Sequence, residues 1–117
     1  MKLYQIINAF NTTEQLAEIK GLSNSDQWEV YKVRKNLRTH IDFMNERLAA
    51  IQNKYREFAD ENGMLNGEKA TEYSKEVEEL NNMEIDLGDY DVPGVHMAEG
   101  ITFKIIEPLE DIIQFIP

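Results

Sequence analysis

The chain has 117 residues, 42% of them hydrophobic, no cysteine, and a net charge of −10 at pH 7. That length supports one modest core rather than two, and the apolar fraction is too high for wholesale disorder. Lack of cysteine excludes disulfides and thiolate metal centres, and the acidic excess argues against phosphate-driven nucleic-acid binding by the chain as a whole.

At the N-terminus, "MKLYQIINAF" has no small-residue cleavage site, and Gln5 and Asn8 interrupt its apolar stretch, so it is not expected to be a signal peptide. Leu3, Ile6, Ile7 and Phe10 have helical spacing, and Gly21 follows as a stop, predicting a short helix over 1–20. Thr12 and Gln15 have capping-box spacing, so "NTTEQ" is expected to kink or restart that helix.

The strongest periodic signal comes next. Val30, Leu37, Met44, Ile51 and Phe58 recur every seven residues, with Ile41, Leu48 and Tyr55 interleaved. That spacing lays one apolar seam along a long helix, as in coiled coils. Ser25 or Asp26 is the expected N-cap, and the helix is expected to run to Phe58 without Pro or Gly.

"DENGMLNGEK" breaks the pattern at 60–69. Asp60 and Asn62 suit a calcium loop, but Met64, Leu65 and Thr71 stand where an oxygen ligand, a glycine and a glutamate are needed. The two Asn-Gly pairs instead predict a connector that turns twice, with a tiny β-ribbon as one form of it. Ala70, Tyr73, Val77 and Leu80 then define a shorter helix ending near Asn81. Packed antiparallel, it covers the long helix only back to about Met44, so Trp28, Tyr31, Leu37 and Ile41 need cover from the terminal segments or from a second copy of the chain.

Beyond residue 82, "MEIDL" and "GITFKII" alternate apolar and polar residues and read as two half-buried strands of a β-hairpin. Pro108 suits the first turn of a closing helix, "PLEDIIQFI". The expected fold is a single domain, 1–117, of mainly-α α+β class. It comprises a short N-terminal helix (1–20), a long antiparallel helical hairpin (25–81), and a β-hairpin with a short C-terminal helix (82–117).

Chemistry is sparse. His40 and His96 lack the spacing of a metal pair, no nucleophile motif or phosphate loop occurs, and Asp86, Asp89 and Asp91 suit a solvated turn. Neither an enzyme, a cofactor nor a metal is expected. Two charge clusters stand out as partner-binding candidates. "YKVRKNLR" supplies Lys32, Arg34, Lys35 and Arg38 beside Trp28 and Tyr31; Arg34 falls on the seam, where its stem is expected to lie over apolar surface. This cluster could also pair with the chain's own acidic region. Glu76, Glu78, Glu79, Glu84, Asp86, Asp89 and Asp91 crowd sixteen residues, and residues 61–117 as a whole carry a net −11. Such carboxylates can meet a basic partner or imitate a phosphate backbone.

The order of parts, "YKVRKNLR", "MNERLAAIQNKYREF", a Gly-containing loop, "EVEELNNMEIDL" and "ITFKIIEPLEDIIQFI", resembles a family of short tailed-phage and prophage proteins of unknown function. The likeness spans roughly residues 25–117, and the chain departs from it in having "EPLEDIIQF" where a threonine-proline helix start is usual. With no signal peptide and no apolar run of membrane-helix length, the expected location is cytoplasmic. The resemblance implies a phage origin, which would make it the host-cell cytoplasm, and a protein-interaction role in virion assembly or host takeover. The expected function is therefore that of a non-enzymatic accessory protein docking on a protein partner, such as a host enzyme or phage structural protein. Alternatives are an acidic inhibitor of a nucleic-acid-handling or defence enzyme, and a homo-oligomer that builds a phage particle. No membrane contact and no direct nucleic-acid binding are expected.

Overall fold

A computed structural model describes all residues, 1–117. The elements are helix α1 (Leu3–Ala17), helix α2 (Asn24–Tyr55), helix α3 (Gly67–Asn81), strand β1 (Gly94–His96), helix α4 (Phe103–Leu109) and strand β2 (Gln114–Ile116). The fold is α+β and mainly helical, with one small sheet.

The 32-residue α2 spans roughly 48 Å at 1.5 Å per residue, close to the molecule's 53 Å long axis. Its N-cap is Ser23, two or three residues earlier than expected from the sequence: the Ser23 hydroxyl accepts the Asp26 N–H at 3.1 Å. Asp26 cannot cap, because its carboxylate is buried against His96. The helix closes in a 3-10 turn at Arg56–Phe58.

The α2 seam feeds two clusters. Val30, Val33 and Leu37 pack with Ile6, Ala9 and Leu16 of α1 and with Val95, Ile105, Leu109, Ile112 and Ile113 from the C-terminal third. Ile51 and Tyr55 pack with Leu3 and Leu80, flanked by Met44, Leu48, Tyr73 and Val77. The short helix α3 thus covers the half of α2 that its length allows, and the terminal segments cover Val30, Val33 and Leu37. Trp28 and Tyr31 are not covered; they are 57% and 54% exposed.

Three local expectations are corrected. "NTTEQ" does not break α1, because the Thr12 and Thr13 hydroxyls bond back to the Asn8 and Phe10 carbonyls within the helix. No β-ribbon forms in the 60–69 connector. Asp60 organises it instead, its Oδ1 accepting the Asn62 and Met64 N–H groups at 2.9 and 3.0 Å, while Gly63 and Gly67 take positive φ of 75° and 61°.

The third correction replaces the β-hairpin. "MEIDL" pairs with the N-terminus, in an antiparallel bridge of Lys2 with Glu84 backed by Leu3 N–H to Met83 O at 2.9 Å. The sheet is a parallel pair, Gly94 beside Gln114 through His96 beside Ile116. Parallel strands require a crossover, and α4 supplies it. From Phe103 on, "ITFKII" is helical, and Ile101, Ile105 and Leu109 stand four apart, a spacing that satisfies a helix face as well as a strand face. Phe103 separates the two periods: a strand would bury it with Ile101, but it is 84% exposed. Pro108 accordingly sits inside the last turn of α4, and "QFI" is strand.

Leu37→Ala should lower unfolding free energy by about 2–5 kcal/mol, since Leu37 is fully buried. Phe103→Ala should stay within about 0.5 kcal/mol of the parent. Urea denaturation of both variants checks the helical assignment; a core-sized loss at Phe103 would contradict it.

Candidate functional site

The N-terminal half of α2 carries most of the unusual surface. Trp28 and Tyr31, one turn apart, stack with ring centroids 5.4 Å apart and planes 20° from parallel. Lys32 Nζ lies 6.0 Å from the Trp28 ring and pairs with Glu29 at 3.0 Å. On the side toward α1, Arg34 donates to Thr13 Oγ1 at 3.1 Å and lies over the Phe10 ring at 4.7 Å, with Arg38 at 5.7 Å from the same ring. The expected apolar platform under Arg34 is therefore Phe10. Lys35 and Arg38 make no ion pair.

Beside this face runs a groove of about 500 Å³ between α2 and the segment 87–93. Lys32, Asn36 and His40 line one wall, and Asp89, Tyr90 and Asp91 the other. Tyr90 anchors that segment by donating its hydroxyl to the Ile112 carbonyl at 2.8 Å, and burial pushes its phenol up to about 12. The basic and acidic clusters thus meet across one groove, but Lys32 pairs with Glu29 and not with Asp89 or Asp91.

The acidic residues do not gather in one place. Glu76, Glu78 and Glu79 lie on α3, beside the C-terminal half of α2, and Glu84 sits 3.7 Å from the Met1 ammonium. Asp86 accepts the Gly88 N–H at 2.8 Å, closing its own turn. Glu76 is bound by Lys54 at 2.7 Å. The hydrogen bond from Lys54 and the neighbouring Tyr55 phenol hold its carboxyl below the usual glutamate value, against the effect of burial. Reciprocally, Glu76 as an acceptor, burial, and the charges of Glu76 and Glu72 raise the Tyr55 phenol to about 12. Glu78, Glu79, Asp89 and Asp91 make no ion pair. No group of three or more His, Asp or Glu side chains could hold a metal ion, and no helix is long and apolar enough to cross a membrane.

A further pair joins Asp26 to His96, seventy residues apart. The His96 ring Nδ1 lies 3.0 Å from Asp26 Oδ1, and the His96 backbone N–H donates to the same oxygen at 3.3 Å. Asp26 is buried, while the His96 ring is exposed. Burial pushes the Asp26 carboxyl up, but hydrogen bonds from the His96 ring and backbone, the Ser23 hydroxyl and the His96 charge together bring it below its usual 3.8. The pair fastens β1 to the start of α2; its position at the first turn, where helix N–H dipoles favour a carboxylate, was the only local hint.

No protein-family model, no curated protein and no solved structure matches the chain.

Because its folded-state carboxyl is depressed, Asp26 stabilises the fold above its ordinary value of 3.8 and loses that contribution as pH falls through the lower folded value. The difference in urea midpoint between the parent and Asp26→Asn should be largest at pH 5 and above and shrink progressively below about pH 4. A difference that is constant from pH 6 to pH 2 would show that the charge of Asp26 contributes nothing.

Proposed function

We propose that this chain is a non-enzymatic binding protein that docks a protein partner on the aromatic and basic face of α2. One observation carries the reading: Trp28 and Tyr31 are held against each other in solvent, more than half exposed, with no segment of the chain covering them. Large apolar surface fixed in one geometry loses little entropy on docking, and Trp and Tyr are the side chains most enriched among interface anchors. Lys32, Lys35 and Arg38 rim the pair and suit an acidic stretch of the partner, governing orientation and on-rate more than affinity. The non-enzymatic part rests on the sequence, which holds no nucleophile motif; the Ser23 hydroxyl beside the Asp26–His96 pair accepts the Asp26 N–H and serves as the N-cap of α2. In the setting implied by the phage-protein resemblance, the partner is a host or virion protein.

A second reading, an acidic surface that occupies the nucleic-acid site of a basic enzyme, is favoured by the unpaired Glu78, Glu79, Asp89 and Asp91, which are spread along the molecule. The two readings separate in a pull-down from nuclease-treated bacterial lysate at low and moderate salt. Docking on the aromatic face predicts capture that survives moderate salt. A Trp28→Ala/Tyr31→Ala double variant should then lose at least tenfold in affinity, as interface anchors contribute about 2 kcal/mol or more each, with unchanged helix content and melting. If the double variant unfolds, the pair is core and the reading fails. If capture instead disappears at moderate salt and is competed by DNA, the acidic reading replaces it.

A further inference from the structure

We propose that the cleft at the closed end of the helical hairpin binds a small amphiphilic anion, a molecule with an apolar body and one anionic head. The cleft, about 570 Å³, lies between the end of α2, the 60–66 connector and the start of α3, well away from the Trp28 face. Its size falls within the roughly 300–1,000 Å³ of small-molecule sites. Tyr55 and Tyr73, whose rings meet edge to face at 5.6 Å, form aromatic walls with Met64 and Leu65, and the small Ala59 and Ala70 leave the space between them open.

Its charge is the telling feature. Arg56 is the only charged side chain lining the cleft, it is exposed, and it makes neither an ion pair nor a side-chain hydrogen bond. This is a chain with 22 carboxylates, fourteen of them in the half that begins at residue 61. A guanidinium without a carboxylate partner, set at the mouth of an apolar cleft, matches an anionic head in the fork geometry that arginine offers to carboxylates and sulfonates. The half-buried Glu76 is held by Lys54 and does not line the cleft. Gln52 and Ser74 add neutral hydrogen-bonding groups at the rim.

The site is formed in advance. Asp60 clamps the connector through the Asn62 and Met64 N–H groups, and its second oxygen accepts from Asn66 Nδ2 at 3.0 Å. Met64 and Leu65 are therefore in place before a ligand arrives, which lowers the ordering cost of binding. This inference is independent of the docking face on α2.

The probe is anilinonaphthalene sulfonate, an aromatic body with one sulfonate, titrated into the full-length chain under native conditions. We expect saturable single-site fluorescence enhancement, with amide NMR shifts confined to residues 52–74. Arg56→Gln should weaken binding about tenfold or more, the effect of removing one charge-assisted contact. Ala70→Phe should abolish binding by filling the cleft while leaving the guanidinium intact, and Lys104→Gln, exposed on α4 and outside the cleft, should leave the titration unchanged. Shifts that map to the Trp28 face, or affinity unchanged in both Arg56→Gln and Ala70→Phe, would overturn the proposal. Loss in Ala70→Phe with no change in Arg56→Gln would also overturn it, because the cleft would then take apolar molecules without regard to charge.

Discussion

The structure depends on a single constraint: an apolar seam about 40 Å long on one helix has to be shielded from water. No other element of a 117-residue chain is long enough to do this alone. The seam is divided, its C-terminal half lying against α3 and its N-terminal half against α1 and the C-terminal third. Leu3 joins the second cluster and Ile6 the first, so α1 ties the two halves together, and Ile85 packs against both. The parallel strand pair and α4 extend the cover that the N-terminal half needs, and the Asp26–His96 pair fastens this cover to the helix it shields.

The same constraint explains where unusual surface is left over. Once Val30, Val33 and Leu37 face the first cluster, helical geometry turns Trp28 and Tyr31 outward. At the other end, α3 runs back along α2 from a connector whose Leu65 packs against the second cluster, and the cleft around Tyr55 and Tyr73 opens beside it. Both surfaces combine aromatic rings with arginine or lysine in an acidic protein. They differ in form: the face on α2 is convex and suits another protein, whereas the hairpin cleft is concave and suits a small molecule.

Charge is organised by distance rather than by pairing. The cations of "YKVRKNLR" stay on α2, with Arg34 and Arg38 drawn over Phe10 and Lys32 taken by Glu29. The nearest carboxylates of the acidic region, Asp89 and Asp91, stand across the groove without closing on them. Most of the acidic excess therefore remains solvated, where pairing would have contributed little: exposed ion pairs typically add no more than about 1 kcal/mol.

Some of this was legible in the sequence for a definite reason. The seam of the long helix recurs in eight apolar residues from Val30 to Phe58, so no single ambiguous residue can change its reading, and the two Asn-Gly steps favour the positive φ that Gly63 and Gly67 adopt. The Tyr73–Val77–Leu80 stripe and the Arg34 stem over apolar surface were legible on similar local grounds. The C-terminal third was not. Ile101 and Ile105 fit both periods, and only the exposure of Phe103, a property of the assembled molecule, decides between them. Nor could local pattern pair "MEIDL" with the N-terminus or "QFI" with Val95, since three-residue strands carry too little periodicity to choose a partner across the chain. The candidate residues Trp28 and Tyr31 were found because they sit on the one unmistakable helix. Asp26 with His96, the groove beside His40 and the cleft beside Arg56 were not, because each joins segments distant in sequence. The sequence by itself determined the long helix, its shorter partner and the turn between them, where regular local spacing suffices. Only the tertiary structure decided which short segments became strands, what met Asp26, and which aromatic rings remained in water, because those depend on contacts between distant parts of the chain.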